Sequence, residues 1–207
     1  MEIKIGDSMQ NNIQLRILSQ QDYDDYIKLQ KEVSPFRSAF MDIDFCIRAW
    51  NDMFASGRLV YAIQNIGKTK FCGYCAIKDF RKERLKIEIE LLKEDRRKGI
   101  GYTALCLLIN KITNEYKVTD FVYCTDSDNY ASQALVQKLG GKPNGLKRFF
   151  FLCEEEVEKF EKEHLGLIDN KLTELAREFH VEPRKLLTHI LVYHINVEEH
   201  QKLMNML

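Results

Sequence analysis

Two adjoining stretches of this 207-residue chain combine residue types that do chemistry. In LKIEIELL, residues 85–92, Glu88 and Glu90 alternate with Ile87, Ile89 and Leu91. On a strand of period two both carboxylates project from one face while the aliphatics fill the other. Acids carried on a strand in this way can take a proton, directly or through a water molecule. Immediately downstream comes Lys93-Glu-Asp-Arg96-Arg97-Lys98-Gly99-Ile100-Gly101, and then apolar residues at helical spacing. A strand that runs into a helix through such a loop gathers consecutive backbone N–H groups and the positive end of a helix dipole around one point, an anion site. Glycines at 99 and 101 allow a phosphate to come close to the backbone. The cations of Arg96, Arg97 and Lys98 suit a diphosphate better than a lone carboxylate.

The loop lacks the G-x-x-x-x-G-K-[ST] spacing of a nucleoside triphosphate loop. It also lacks the third glycine and the downstream ribose-binding acid of a dinucleotide fingerprint, so ATP and NAD are not expected. Thirty-one basic residues balance thirty-one acidic ones, which leaves no global field to draw in nucleic acid or anionic lipid. No stretch approaches the ~20 apolar residues that span a bilayer, and the first residues have no apolar signal core, so a cytoplasmic protein is expected. The six cysteines lie in apolar segments, as small buried hydrophobes do in a reducing compartment. Cys72 and Cys75 share a strand but point to opposite faces, and His180, His189, His194 and His200 are not spaced to share a helical face. No metal site is expected.

The elements that must position these residues follow from periodicity. Residues 13–18, IQLRIL, alternate as a strand, and Ser19-Gln-Gln-Asp22 is a capping box ahead of Tyr23, Tyr26, Ile27 and Gln30 at helical spacing. Ser34-Pro35 ends that helix. A second follows with Ile43, Ile47, Trp50 and Phe54 on its buried face and Gly57 after its end. Three strands, 58–64, 70–77 and 85–92, then form an antiparallel meander with a charged turn at residues 81–84. Beyond the glycine loop, Ala104, Leu105, Leu108, Ile109, Ile112 and Tyr116 mark a helix of about four turns. Asp120 to Thr125 is a strand. Asn129 caps a helix with Ala131, Ala134, Leu135 and Leu139 as its buried stripe and Gly140-Gly141 at its end. Residues 149–153, FFFLC, are the last strand candidate.

Arg96-x-x-Gly99-x-Gly101 after a strand resembles the [QR]-x-x-G-x-[GA] signature of the GCN5-related N-acetyltransferases, or GNAT family. The element order resembles theirs too, and Asn129-x-x-Ser132 leading to Lys138-Leu139-Gly140 looks like the family's N-x-x-[AS] helix ending in K-L-G. The resemblance covers residues 13–153 and implies an α/β fold with a mixed central sheet flanked by helices. It implies an acyl-CoA-binding domain over residues 1–153 and transfer of an acetyl or other acyl group from acetyl-CoA to a primary amine, by direct attack in a ternary complex. Leu91 and Leu92 would then hold the pantetheine through backbone groups at the end of their strand. The loop from Arg96 through Arg97, Lys98, Gly99, Ile100 and Gly101 to Tyr102 would hold the diphosphate, and Asn129 and Ser132 would line the pantetheine arm. Glu88 or Glu90 would be the base. The acceptor, a small-molecule or peptide amine of open class, would meet the acyl group near Phe36, Arg37, Phe40, Arg148 and Phe149.

One departure stands out. Many members of the family carry a tyrosine seven residues after the asparagine, as general acid for the leaving thiolate, and this chain has Val136 there. Tyr130, Tyr102 or water remain as substitutes. A non-catalytic acyl-CoA-binding or regulatory module is the alternative that Val136 favours. Residues 154–207 read as a helical extension. Val157, Phe160 and His164 share one face, Leu172, Leu175, Ala176 and Phe179 another, and a third run after Pro183 takes in Leu187, Ile190, Leu191 and His194. The cadence loosely resembles the helices of ribbon-helix-helix proteins. With no basic strand before it, nucleic-acid binding is not expected, and the helices suit a homodimer contact or a lid.

Overall fold

The computed structural model describes residues 12–80, 84–148 and 153–198. Seven strands with flanking helices make a mixed α/β fold, as the sequence implied. The chain divides into two compact units, residues 1–121 with 197–207, and residues 122–196.

The first unit is built on four strands, β1 (Ile13–Ile17), β2 (Leu59–Asn65), β3 (Lys70–Lys78) and β4 (Leu85–Leu91), each antiparallel to the next. The turn from β1 into α1 (Tyr23–Val33) is fixed by the expected capping box. Asp22 accepts from the Ser19 amide at 2.9 Å, and Arg16 Nη1 reinforces it from β1, donating to Asp22 Oδ2 at 2.7 Å. Helix α1 ends at Ser34, as the following proline requires. Trp50, on α2 (Ile43–Asp52), packs edge-on against Tyr23 and tilted against Tyr26 in a cluster with Leu29, Phe40 and Tyr74.

Of the face expected for α2, Trp50 is buried and the other three residues are not. Cys46 and Trp50, with Met53 just beyond the helix, point inward, whereas Ile43 is 74% exposed and Ile47 and Phe54 are also exposed. Helix α3 (Ile100–Tyr116) follows the glycine loop and runs 17 residues, with Leu105, Leu108, Ile109 and Ile112 fully enclosed. The charged turn at 81–84 lies for the most part outside the described residues.

The second unit holds β5 (Asp120–Thr125) from Val122 onward, α4 (Tyr130–Lys138), β6 (Lys142–Arg148), α5 (Glu154–Glu163), α6 (Asn170–Glu178) and β7 (His189–Asn196). The strand after α4 is Lys142–Arg148. The expected 149–153 strand falls outside the described residues except for Cys153, which caps α5 instead. The buried residues of α4 are Gln133 and Val136, with Leu139 at its cap; Ala131, Ala134 and Leu135 are not among them.

The larger correction concerns the tail. Helices α5 and α6 form as expected, but the run after Pro183 is a short 3-10 turn (Pro183–Leu187) and then a strand. Leu191, Tyr193 and Ile195 are buried at alternate positions, the strand period. β7 is hydrogen-bonded between β5 and β6, so the sheet does need this segment. Its register with β6 is antiparallel, Lys142 facing His194 and Arg148 facing His189. Glu161 of α5 ties this region together. Its carboxylate is fully buried, accepts from Thr188 Oγ1 at 2.7 Å and has Lys185 Nζ at 3.1 Å.

No described helix is long and apolar enough to cross a membrane. Among the described residues no cluster of three or more His, Cys, Asp or Glu is arranged to hold a metal ion.

Candidate active site

β4 presents Glu88 and Glu90 side by side, as its alternation requires, but gives them different surroundings. Glu88 is neutralised: Arg58 Nη2, from just before β2, donates to its Oε1 at 2.6 Å, and Lys78 at the end of β3 pairs with its Oε2. Glu90 has no such partner among the salt bridges of the described residues. Gln30 Nε2 on α1 donates to its Oε2 at 2.5 Å, and the Tyr74 hydroxyl, directly opposite on β3, donates as well. Burial pushes the Glu90 carboxyl above the ordinary range, and the nearby charge of Glu88 adds to that rise. The bonds from Gln30 and Tyr74 and the more distant charge of Lys78 hold it down in part. Burial also raises Tyr74 well above a free phenol, so it remains a donor at neutral pH.

β3 can lie this close to Glu90 because residue 73 is glycine. Its φ is +149°, and a Cβ there would stand 2.1 Å from the Glu90 carbonyl oxygen. Gln30 is buried, and its place at helical spacing on α1 gives no role to its amide. The available signal was polarity itself, since a glutamine at a core position needs a hydrogen-bond partner. Arg58, Tyr74 and Lys78 were also not singled out.

From Leu91 the chain enters a short turn, Lys93–Asp95, whose buried Asp95 is held by Lys70 Nζ of β3 at 2.6 Å. Glu32, near the end of α1, accepts from the Lys93 amide at 2.8 Å. These contacts set the loop that follows. Arg97 has φ +58° and Gly99 φ +78°, left-handed positions that turn successive N–H groups inward. Gly99 is the N-cap of α3 and has no side chain with which to satisfy the first-turn amides of Ile100, Gly101 and Tyr102. Arg96, Arg97 and Lys98 are exposed around them. A glycine-turned loop at a helix N-terminus, ringed by cations, fits a diphosphate.

The Leu92 amide bonds to Cys72 O of β3 at 3.0 Å, so by alternation the polar groups of Leu91 turn away from β3. The Leu91 carbonyl accepts from Arg96 Nε at 3.0 Å. Arg96 thus joins the strand end to the loop. Tyr102 is half-buried, and burial, with Cys106 beside it, raises the pKa of its hydroxyl to about 12.

In the second unit, Asn129 caps α4 as expected, its Oδ1 accepting from the Ser132 amide at 3.1 Å. The Ser132 hydroxyl lies 2.8 Å from that of Tyr123 on β5. Val136 is fully buried and packs on Gly141, where a Cβ would stand 2.5 Å from Val136 Cγ2. Tyr130 is half exposed, with Lys171 Nζ 5.0 Å from its ring centre. Of the expected acceptor residues, Phe36 is exposed and Phe40 is buried in the α1–α2 core. Arg148 pairs with Glu154, and Phe149 lies outside the described residues.

A strand bearing two carboxylates that runs into a cationic, glycine-turned loop opening a helix has the arrangement that the GNAT signature implies. The family model described as an acetyltransferase (GNAT) domain matches residues 12–142, and the chain belongs to that family. No protein of curated function matches it by sequence. Among solved structures it is similar to a chimera of the Vibrio cholerae spermidine N-acetyltransferase SpeG and hSSAT. The TM-score is 0.64 at 11% identity, over 92% of this chain and 98% of that one. It is also similar to the spermidine N-acetyltransferase of Vibrio cholerae in complex with CoA and spermine, with a TM-score of 0.63 at 10% identity over 92% and 99% of the two chains. At such identities the likeness is one of fold.

Proposed function

We propose that this protein transfers an acetyl group from acetyl-CoA to a primary amine, with Glu90 as the base. The observation that carries this reading is the half-buried Glu90 carboxylate, bonded by neutral donors, on the strand that leads directly into the diphosphate loop. Acetyl-CoA, the acetyl donor typical of the family, would supply a thioester carbonyl open to attack by an amine.

The chain's own residues do the rest. The amides of Arg97 to Tyr102 and the cations of Arg96, Arg97 and Lys98 bind the diphosphate, and the backbone of Leu91 and Leu92 lies along the pantetheine. The N-x-x-S motif assigns Asn129 and Ser132 to pantetheine contact. An amine is mostly protonated at neutral pH and becomes a nucleophile only after losing a proton. A carboxylate with a raised pKa, bonded by neutral donors, both attracts the ammonium and accepts its proton. Glu88, held by Arg58 and Lys78, keeps the β3–β4 face in register.

A second reading, a module that binds acyl-CoA without turnover, is favoured by one observation: Val136 is a core residue where many family members place the acid. Titration calorimetry of acetyl-CoA and CoA into the protein and into Arg96→Ala/Gly99→Trp, together with thiol release over a panel of amines, separates the readings. The panel includes spermidine and spermine. Binding lost in the variant plus amine-dependent release is the expected result. Binding without release supports the second reading, and absence of binding overturns both.

A further inference from the structure

Gln30 is 6% exposed on α1, and its amide donates to Glu90 Oε2 at 2.5 Å. Burying an amide has a cost that a well-placed acceptor offsets, and a carboxylate is the strongest acceptor a protein offers. The contact joins two elements sixty residues apart in sequence, a helix and the strand whose next turn opens the diphosphate loop. The groups that face Glu90 are Gln30 and Tyr26 from α1, Tyr74 and Lys78 from β3, and Glu88 on its own strand, which is itself bound to Arg58. Of these, Gln30 and Tyr74 donate to it directly. Tyr74 sits opposite Glu90 in the ladder and would stay there whatever α1 did. Gln30 is the donor through which the orientation of the carboxylate depends on α1.

We infer that Gln30 is a positioning residue for Glu90. From α1 it fixes one carboxylate oxygen so that the other is presented to the amine, and it sets the proton affinity at which the base works. The inference rests on the transferase reading given above, in which Glu90 receives the acceptor's proton. Gln30 itself neither gives up nor receives that proton. Its N–H stabilises the ionised form, so its removal makes the carboxyl harder to ionise. Helix α1 thereby becomes a control on catalysis: whatever shifts α1 against β4 changes the pH at which the enzyme works.

The test follows the Glu90 carboxyl by carbon-13 NMR during a pH titration, its signal assigned through Glu90→Gln, in the wild type and in the similarly sized Gln30→Met. The Glu90 midpoint is expected to rise by about one unit in Gln30→Met. The acid limb of kcat/KM for the amine should move with it, while the KM for acetyl-CoA is unchanged. A midpoint that stays put, even with a lowered Tm, means that Gln30 only packs and overturns the inference. Should Gln30→Met not fold, the Gln30 side-chain amide signal of the wild type serves instead. It must shift with the Glu90 midpoint, and a flat response overturns the inference. If the wild type releases no thiol with any amine, the transferase reading fails, and the two titrations still decide whether Gln30 governs the carboxyl.

Discussion

Arg58 Nη2 stands 2.6 Å from Glu88 Oε1, and this contact, with Lys78 on the other oxygen, separates two carboxylates that β4 presents on one face. Glu88 is held by cations and Glu90 by an amide and a phenol. The difference arises on neighbouring strands and on α1, so nothing in the spacing of the two acids announces it.

Glu90→Gln is expected to lower kcat by roughly 10²–10⁴-fold, the range for loss of a general base, with little change in the affinity for acetyl-CoA. Glu88→Gln leaves Arg58 and Lys78 facing one another without a counter-charge. Because the cluster is partly exposed, the expected loss is about 1 kcal/mol of stability, read by urea denaturation, with a much smaller change in kcat.

The raised Glu90 pKa fixes the sign of a pH effect. A carboxyl whose folded pKa lies above its ordinary value of 4.5 binds its proton more tightly in the folded state, so its contribution is full below 4.5 and is lost as pH climbs through the raised value. Wild-type stability minus that of Glu90→Gln should therefore decline over that interval and level off above it. Asp22 gives the opposite sign. Burial pushes it up, but the Arg16 guanidinium and the Ser19 groups outweigh burial and hold it below the ordinary range. Asp22→Asn should destabilise at neutral pH, and that difference should vanish as pH falls through the lowered Asp22 pKa. Unfolding curves at a series of pH values check both.

Gly99→Ala places a side chain at φ +78° over the amides of the loop. The left-handed conformation costs about 1 kcal/mol, and losing one diphosphate contact weakens CoA binding roughly tenfold, measurable by calorimetry.

Restoring the family's tyrosine in this background should fail. Val136→Tyr puts a ring where Val136 already meets Gly141 and its own helix end, and overpacking of that kind costs about 1–3 kcal/mol. Tm is expected to fall without any gain in the basic limb of the pH–rate profile.

Much of the first unit was legible in the sequence. The β-rich runs, the Ser19–Asp22 box, Ser34-Pro35 and the glycine loop each have a local cause, and each produced its element where expected. The errors came where local pattern was ambiguous. On α2, Ile43, Ile47 and Phe54 make a convincing apolar stripe, but the core is organised around Trp50 with Cys46 and Met53, and the large aliphatics remain in solvent. In the tail, Leu187, Ile190, Leu191 and His194 fit a helical spacing only if the β-branched and aromatic alternation of HILVYHIN is overlooked. A short apolar run can satisfy both periods, and partners decide between them. The site was legible as a loop and a pair of acids. Gln30, Tyr74 and Arg58 were not, because their roles are created by strand register and helix docking.

The placement of β7 bears on how this protein comes into being. β6 is made before its ladder partner, the segment from His189 to Asn196, which emerges only after α5 and α6. During synthesis β6 must wait as an unsatisfied edge, with Leu146 and its neighbours available to any passing strand. Nascent chains halted before residue 189 should therefore depend on chaperones and resist compaction in the second unit. Release of the last strand, more than any earlier event, would mark the moment at which that half of the molecule becomes resistant to proteases.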